Sequence, residues 1–482
     1  MLFNSYEFVF LLLPITLVVW YALNRFRMYA AAKAALIAAS LVFYARFHLS
    51  YLMILPCSVG VNFLFGRFLL SDRSARLRKA AAVCGAALNL GVLGYFKYFD
   101  FFLENVNLLL GTHFSLLGVA LPLGISFFTF QQLSYIIDGY RQTVPRYSLS
   151  DYALFVCFFP QLVAGPIVLH GEMIPQFADP ARRRFSPERF GRGVTGFAFG
   201  LAKKVLLADA LGVLVEHGFA SVSALSSLQA WITMLAYTLQ IYFDFSGYCD
   251  MACGIGNLFG VELPINFDSP YKALTIEDFW KRWHKTLTRF FTQYLYIPLG
   301  GSRKGKARTY RNILIVFLVS GLWHGAGYTF ILWGLLHGLA VIFCRAFRKR
   351  LEKLPKALNW LLCFLFLNVT WVVFRADSLR DAGTLLTRLF AGGAAILPDL
   401  RAALETDILY DVLRNLPIPS VTPVYMLLLV AVGLLLCLLC KNTQQRLSVW
   451  NPNARTFAAT AILLALGVLS MSGVSTFLYF DF

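Results

Sequence analysis

The sequence predicts an all-α, polytopic membrane protein, and three observations carry that prediction. Of 482 residues, 58% are hydrophobic and only 14% charged, whereas a water-soluble chain is nearer a quarter charged. Mean hydropathy is +0.65. Apolar runs of about 15–22 residues recur from end to end, each comparable to a bilayer's hydrocarbon core.

The first run, FVFLLLPITLVVWYALNRF, begins at Phe8. No Lys or Arg precedes it, Glu7 does, and no small-x-small cleavage site follows, so a retained span is expected rather than a signal peptide. The net charge of +18 would suggest nucleic acid in a soluble protein. Here the basic residues gather in short loops between spans, as the positive-inside rule requires, and no nucleic-acid partner is expected. Arg25, Arg27 and Lys33 follow the first span, SDRSARLRK (71–79) the third, and Arg141 and Arg146 the fifth. RAFRKRLEKLPK (345–356) is the densest basic loop, and the loop near Asp100–Ser115 carries acids without Lys or Arg. The pattern alternates if the N-terminus is outside and the basic loops are cytoplasmic.

The segment DYALFVCFFPQLVAGPIVLH (151–170) breaks that alternation, because both its flanks are basic and Pro160, Gly165 and Pro166 interrupt it. A re-entrant element returning to the cytoplasmic side resolves the conflict, since broken backbone at membrane depth must be covered by protein or water. Counted so, the chain has about 11–12 spans plus one re-entrant segment. Residues 246–310 form the longest stretch without a clear span. Residues 375–422, mixed in charge, are expected outside.

Two pentapeptides, GLWHG (321–325) and GLLHG (334–338), place His in the same slot of a Gly-x-x-x-Gly frame. On a helix, positions i, i+3 and i+4 share a face, so each imidazole lies on the glycine side, where another backbone can approach. The run from Arg311 to His324 covers only about 20 Å as a helix, short of a hydrocarbon core of about 30 Å. The chain then turns at GAGY (325–328), and a turn at that depth must be buried in protein or open to water. His324 is therefore expected at the floor of a depression entered from outside, as a functional group. His337, nearer the cytoplasm and with no break beside it, is expected to make an interhelical hydrogen bond.

FWKRWHKTLTRFF (279–291) reads as one amphipathic helix at the membrane surface. At about 100° per residue, Trp280, Trp283, His284, Leu287 and Phe291 share an arc opposite Lys281, Arg282, Lys285 and Arg289. His284 then points into the protein. Downstream, QYLYIPLGGSRKGKARTYR (293–311) turns at Pro298, Gly300 and Gly301, and its basic run can meet anionic lipid or a phosphorylated ligand. Upstream, Asp244, Ser246 and Asp250 are expected where a span ends, either orienting a His or capping helix ends. The nine cysteines lie in apolar segments and read as packing residues; no metal site is expected. No GxSxG, Walker A, HExxH or GxGxxG pattern occurs.

DFSGYCDMACGIGNLFG (244–260), NFDSPY (266–271), FWKRWHKTL (279–287), YLYIPLGGSR (294–303) and SGLWHGAGYTFILWGLLHG (320–338) stand in that order. With MLFNSYEF, PLGISFFTFQQLSYIIDGYR (122–141), FFPQLVAGPI (158–167) and FLYFDF, they resemble the signature blocks of the membrane-bound O-acyltransferase family, and in particular its bacterial alginate O-acetyltransferase branch. The resemblance covers essentially the whole chain. It implies a single helical domain over 1–482, funnel-like, with its signature core at about 240–340. It implies transfer of an acyl group, acetyl first, onto a hydroxyl of an exported polysaccharide, with His324 matching the catalytic His and His284 the second signature His. A neutral His324 would act as general base, and His284 would position the donor or stabilise the oxyanion.

No tightly bound cofactor is implied. Acetyl-CoA is the expected donor, with Arg282, Lys285 and Arg303 candidates for its phosphates. The implied setting is the bacterial cytoplasmic (inner) membrane, with the bilayer, the exported polysaccharide or a periplasmic or extracellular acetyltransferase as partners. D-Alanyl transfer proteins of teichoic acid synthesis share the RWH and WHG elements, but YIPLGG favours polysaccharide acetylation. The chain departs from its branch at Gln293, where Asp is common. A polysaccharide exporter and a scaffold without chemistry are the competing readings.

Overall fold

The computed structural model describes residues 1–47, 49–404, 410, 411, 421–471, 477 and 478, and every regular element among them is helical. Among the described residues, five helices are long and apolar enough to cross a membrane: Phe8–Arg25, Ala75–Leu110, Tyr328–Ala346, Lys356–Arg375 and Val421–Leu439. Tyr29–Ala45, Ile54–Leu69 and Ala454–Leu469 are shorter apolar helices. Their outer faces expose Leu64, Leu435 and Ile462 among others, a surface suited to lipid rather than water. One contiguous buried core reaches from Phe3 to Phe477.

The central helix, Ser227–Leu258, is 32 residues long and corrects two expectations. Residues 246–258 are helical, and Asp244, Ser246 and Asp250 lie within the helix rather than at its end. Neither role expected of the acids applies. Lys204 Nζ binds Asp209 at 2.8 Å and Asp244 at 2.7 Å, and Lys203 Nζ binds Asp250 at 2.6 Å. Both lysines come from the π-helical turn Lys203–Ala208. The helix carries this polarity because protein, not lipid, surrounds it; charges in such a place need partners.

Small residues set the closest crossings. Pro187–Ala202 meets the central helix so tightly that a methyl at Gly200 would lie 2.5 Å from Gly247 O, and one at Gly254 2.6 Å from Phe197 N. Lys306–His324 and Tyr328–Ala346 form a hairpin in which a methyl at Gly321 would strike the Phe330 carbonyl, and one at Gly334 the Phe317 carbonyl. The two glycine frames thus face each other across one helix pair, the close approach their spacing predicts.

The 151–170 segment folds back on itself, the shape expected of a re-entrant element. Leu149–Cys157 and Phe159–Leu162 are helical, and residues 163–169 return without regular structure. Its two ends meet: Tyr147 Oη lies 3.1 Å from His170 Nδ1. His170 Nε2 is 3.3 Å from Asp138 Oδ2, which also accepts the Tyr294 hydroxyl at 2.6 Å. The tip packs against Gly124, in the left-handed region at φ +71°, where a side chain would strike the Leu162 carbonyl. Of the stretch expected outside, Leu379–Arg388 and Pro398–Leu404 are helical, while 405–409 and 412–420 lie outside the described residues.

Candidate functional site

His324 is the last residue of its helix, and the chain leaves through extended Gly325 before helix resumes at Tyr328. The break expected at GAGY is present, with the imidazole only 4% exposed. A helix ending at depth leaves its final carbonyls without partners, and the Ala75–Leu110 helix supplies donors. Tyr98 Oη donates to Leu322 O at 2.8 Å, while Lys97 Nζ donates to Trp323 O at 2.6 Å and His324 O at 2.9 Å. Three successive carbonyls are thus satisfied by two adjacent side chains. The imidazole packs edge-on against Trp323, Trp333 and Phe374, with ring centroids 4.8, 5.2 and 5.3 Å away.

A cavity opens at this point. Lys97, residues 121–127, Val163, Trp323 and His324 line it. Residues 121–123 lie at the far end of the 111–124 connection, which follows the helix end carrying Asp100 and Glu104, so the cavity faces the side that the charge rule places outside. Val163 is the tip of the re-entrant element.

His284 sits where the expected amphipathic helix is broken, and that expectation is corrected. Helix Ile276–Arg282 ends at Trp283, which is extended, and Lys285–Phe291 follows. His284 itself is left-handed at φ 44°, ψ 51°, and fully buried. Such a conformation costs an L-residue about 1–2 kcal/mol and persists only where surroundings enforce it. Asn266 does so. Its Oδ1 accepts from His284 Nδ1 at 3.1 Å, Thr286 N at 3.2 Å and Thr286 Oγ1 at 2.9 Å, and its carbonyl accepts from Lys285 N at 3.0 Å. Since Oδ1 only accepts, His284 carries its proton on Nδ1 and turns the Nε2 lone pair inward. The break does what one continuous helix cannot: it aims the imidazole at Trp323, with ring centroids 6.2 Å apart. Trp323 therefore touches both histidines.

His337 behaves as expected, with both nitrogens engaged between helices. Trp280 Nε1 donates to Nδ1 at 3.2 Å, and Nε2 is 3.1 Å from Thr370 Oγ1. It thereby holds Trp280 against a second cavity of about 260 Å³. This cavity runs between 277–296 and 313–345, with Ser320 one helical turn before His324, and with Lys281, Arg345 and Glu277 among its lining residues.

Of the residues proposed for a phosphorylated donor, none lines this cavity. Arg282 Nε is paired with Asp278 at 3.0 Å, Lys285 is half-buried beside His284, and Arg303 is exposed on the turn after Pro298. Gln293 donates to the Tyr294 hydroxyl at 3.3 Å and so joins the cluster around Asp138. Sequence reasoning missed Asn266 and Lys97. Nothing in NFDSPY marks Asn266 as a clamp. Lys97, which shares the apolar run LGYFKYFDFF with only one other charged residue, Asp100, carried a readable signal, because a charge inside a span is a functional candidate.

Comparison with known proteins identifies the relatives of this chain. The model of the MBOAT, membrane-bound O-acyltransferase family, matches residues 9–379. A peptidoglycan O-acetyltransferase of Helicobacter pylori is 40% identical over 520 aligned positions, covering 100% of this chain and 98% of that protein. A probable alginate O-acetylase, AlgI, of Pseudomonas aeruginosa is 39% identical over 84% of this chain and 77% of its own length. A teichoic acid D-alanyltransferase of Streptococcus thermophilus is 27% identical, over 48% of this chain and 59% of its own.

Proposed function

The chain belongs to the membrane-bound O-acyltransferase family, and from that premise we propose that it moves an acetyl group from a cytoplasmic thioester to a hydroxyl of an exported glycan. The observation that supports this reading is the position of His324. It closes a broken helix at the floor of one cavity, while Ser320, one turn earlier on the same helix, lines a second. A group so placed can serve reactants arriving from opposite faces.

In the step proposed, His324 removes the hydroxyl proton as the oxygen attacks the thioester carbonyl. The tetrahedral intermediate collapses, the carbon–sulfur bond breaks, and the leaving thiolate takes the proton from His324. His284, with Nδ1–H held by Asn266, can only accept at Nε2, so its part is to hold an N–H of the donor or the attacking hydroxyl, not to face an oxyanion. The second cavity suits the apolar arm of acetyl-CoA. Glu277 gathers Lys281, Arg345 and Arg348 at 4.0, 3.6 and 3.0 Å, three cations to one carboxylate, which leaves positive charge for phosphates. The acceptor is a glycan hydroxyl on the outer side of the bacterial inner membrane, reached directly or through a periplasmic or extracellular acetyltransferase.

The test uses sealed inside-out vesicles with labelled acetyl-CoA outside, on the cytoplasmic face. Label should accumulate on luminal acceptor or partner, and His324→Ala should abolish that transfer while inserting normally. A variant keeping more than roughly a tenth of wild-type transfer, where a positioned base supplies about 10²–10⁴-fold, would exclude His324 as the base. Label confined to cytoplasmic-face acceptors would refute the two-sided reaction. Altered glycan export without altered acetylation would favour an exporter.

A further inference from the structure

Acyl transfer develops negative charge on the carbonyl oxygen, and the hydrogen bonding of His284 leaves that charge unanswered. We propose that Lys97 faces it: the ammonium stabilises the oxyanion formed when the acceptor hydroxyl adds to the thioester. The inference rests on the reading of His324 as general base.

Three observations converge on Lys97. It lines the same cavity as His324. Two of its three N–H bonds are directed at the carbonyls of Trp323 and His324, which fixes the ammonium at the end of the His324 helix, 6.0 Å from the Trp323 ring, and leaves one donor for the cavity. Among the described residues no carboxylate is paired with it. A helix end needs hydrogen-bond donors, not a full charge, and a neutral side chain would satisfy the same carbonyls without bringing a cation to membrane depth. An ammonium held there without a counter-ion suits an anion that exists only during the reaction, the arrangement that favours the transition state over the substrate.

The balance is simple. The hydroxyl oxygen bonds to the carbonyl carbon as its proton passes to His324, and the carbonyl π pair moves onto the oxygen facing Lys97. Collapse restores the carbonyl and breaks the carbon–sulfur bond, and the thiolate takes the proton from His324. Lys97 neither gains nor loses one.

The full-length protein in inside-out vesicles is assayed with acetyl-CoA as wild type, Lys97→Gln, Lys97→Arg and His324→Ala, and thermal unfolding of each purified protein is followed in parallel. Lys97→Gln keeps an N–H for the carbonyls but no charge. Its maximal rate should fall about 10²-fold, with the acetyl-CoA KM within about twofold of wild type and an unchanged unfolding temperature. Lys97→Arg should restore much of the rate. A Lys97→Gln rate within about threefold of wild type would overturn the proposal, as would equal losses in Gln and Arg accompanied by a lowered unfolding temperature. An unchanged maximal rate with a raised KM for the acceptor would assign Lys97 to acceptor binding and also overturn it. If His324→Ala is inactive while Lys97→Gln is normal, only this inference fails. An active His324→Ala removes the underlying reading as well.

Discussion

Trp280 donates its indole N–H to Nδ1 of His337 at 3.2 Å, and that pairing separates the two histidine pentapeptides. With Nδ1 accepting and Nε2 directed at Thr370, the His337 ring is committed to joining three helical segments. His324 has the same glycine frame but stands at a helix end, on a cavity.

His337→Ala is therefore expected to damage packing more than chemistry. Loss of a fully buried ring and its two hydrogen bonds should cost about 2–4 kcal/mol of stability, read as a lowered unfolding temperature in detergent. Transfer by the protein that remains folded should stay above roughly a tenth of wild type. A complete loss of activity with unchanged thermal stability would contradict this assignment.

What the sequence made legible was whatever depends on depth. The chain break at His324 could be found because Arg311, Arg345 and the GAGY turn bracket it, although the helix before it begins earlier than expected, at Lys306, and the fold-back of 151–170 because both of its flanks are basic. What stayed hidden depends on pairing between distant segments. The path from 279 to 291 reads as one amphipathic helix, yet it breaks at His284 because Asn266, 18 residues earlier, offers better hydrogen bonds to the turn than a helix could. Asp244 and Asp250 looked like the end of a span because their lysine partners, some 40 residues away, could not be matched to them by periodicity.

Asn266→Ala should release the left-handed turn. Three donors lose one acceptor, at about 1–3 kcal/mol for each buried group left unsatisfied, so the variant should unfold at a markedly lower temperature and transfer poorly. His284→Gly separates shape from chemistry: glycine adopts the same backbone freely, so stability should hold better than in His284→Leu, while transfer falls in both. Equal thermal stability of the Gly and Leu variants would show that the left-handed turn imposes no cost.

Cysteines placed at Pro145 and Arg184, both exposed, should react with a membrane-impermeant maleimide only from the cytoplasmic side. The meeting of Tyr147 with His170 requires the two flanks to share a face. Labelling of position 184 from outside would mean that the segment crosses.

Gly321→Val should prevent the 306–324 and 328–346 helices from closing, because its side chain would enter the Phe330 carbonyl. The expected cost exceeds about 3 kcal/mol, the upper range of overpacking, and expression should fall with it. Gly327→Ala, where the nearest atom is 3.5 Å away, should be tolerated and serves as the control.

The ion pairs of the central helix also govern how the chain is made. Asp244 and Asp250 entering a bilayer alone would each cost about 2.5–3.5 kcal/mol on the insertion scale, and Lys203 and Lys204 carry a similar burden. Neither the 187–220 region nor the 227–258 helix can settle in lipid by itself. They are expected to insert as partners, the earlier segment staying in the shelter of other spans until the later one has been made. Charge pairing within the finished fold thus bears on the order of events during translation, and a nascent chain that stops between the two is left with Lys203 lacking Asp250 and with Lys204 holding Asp209 but not Asp244.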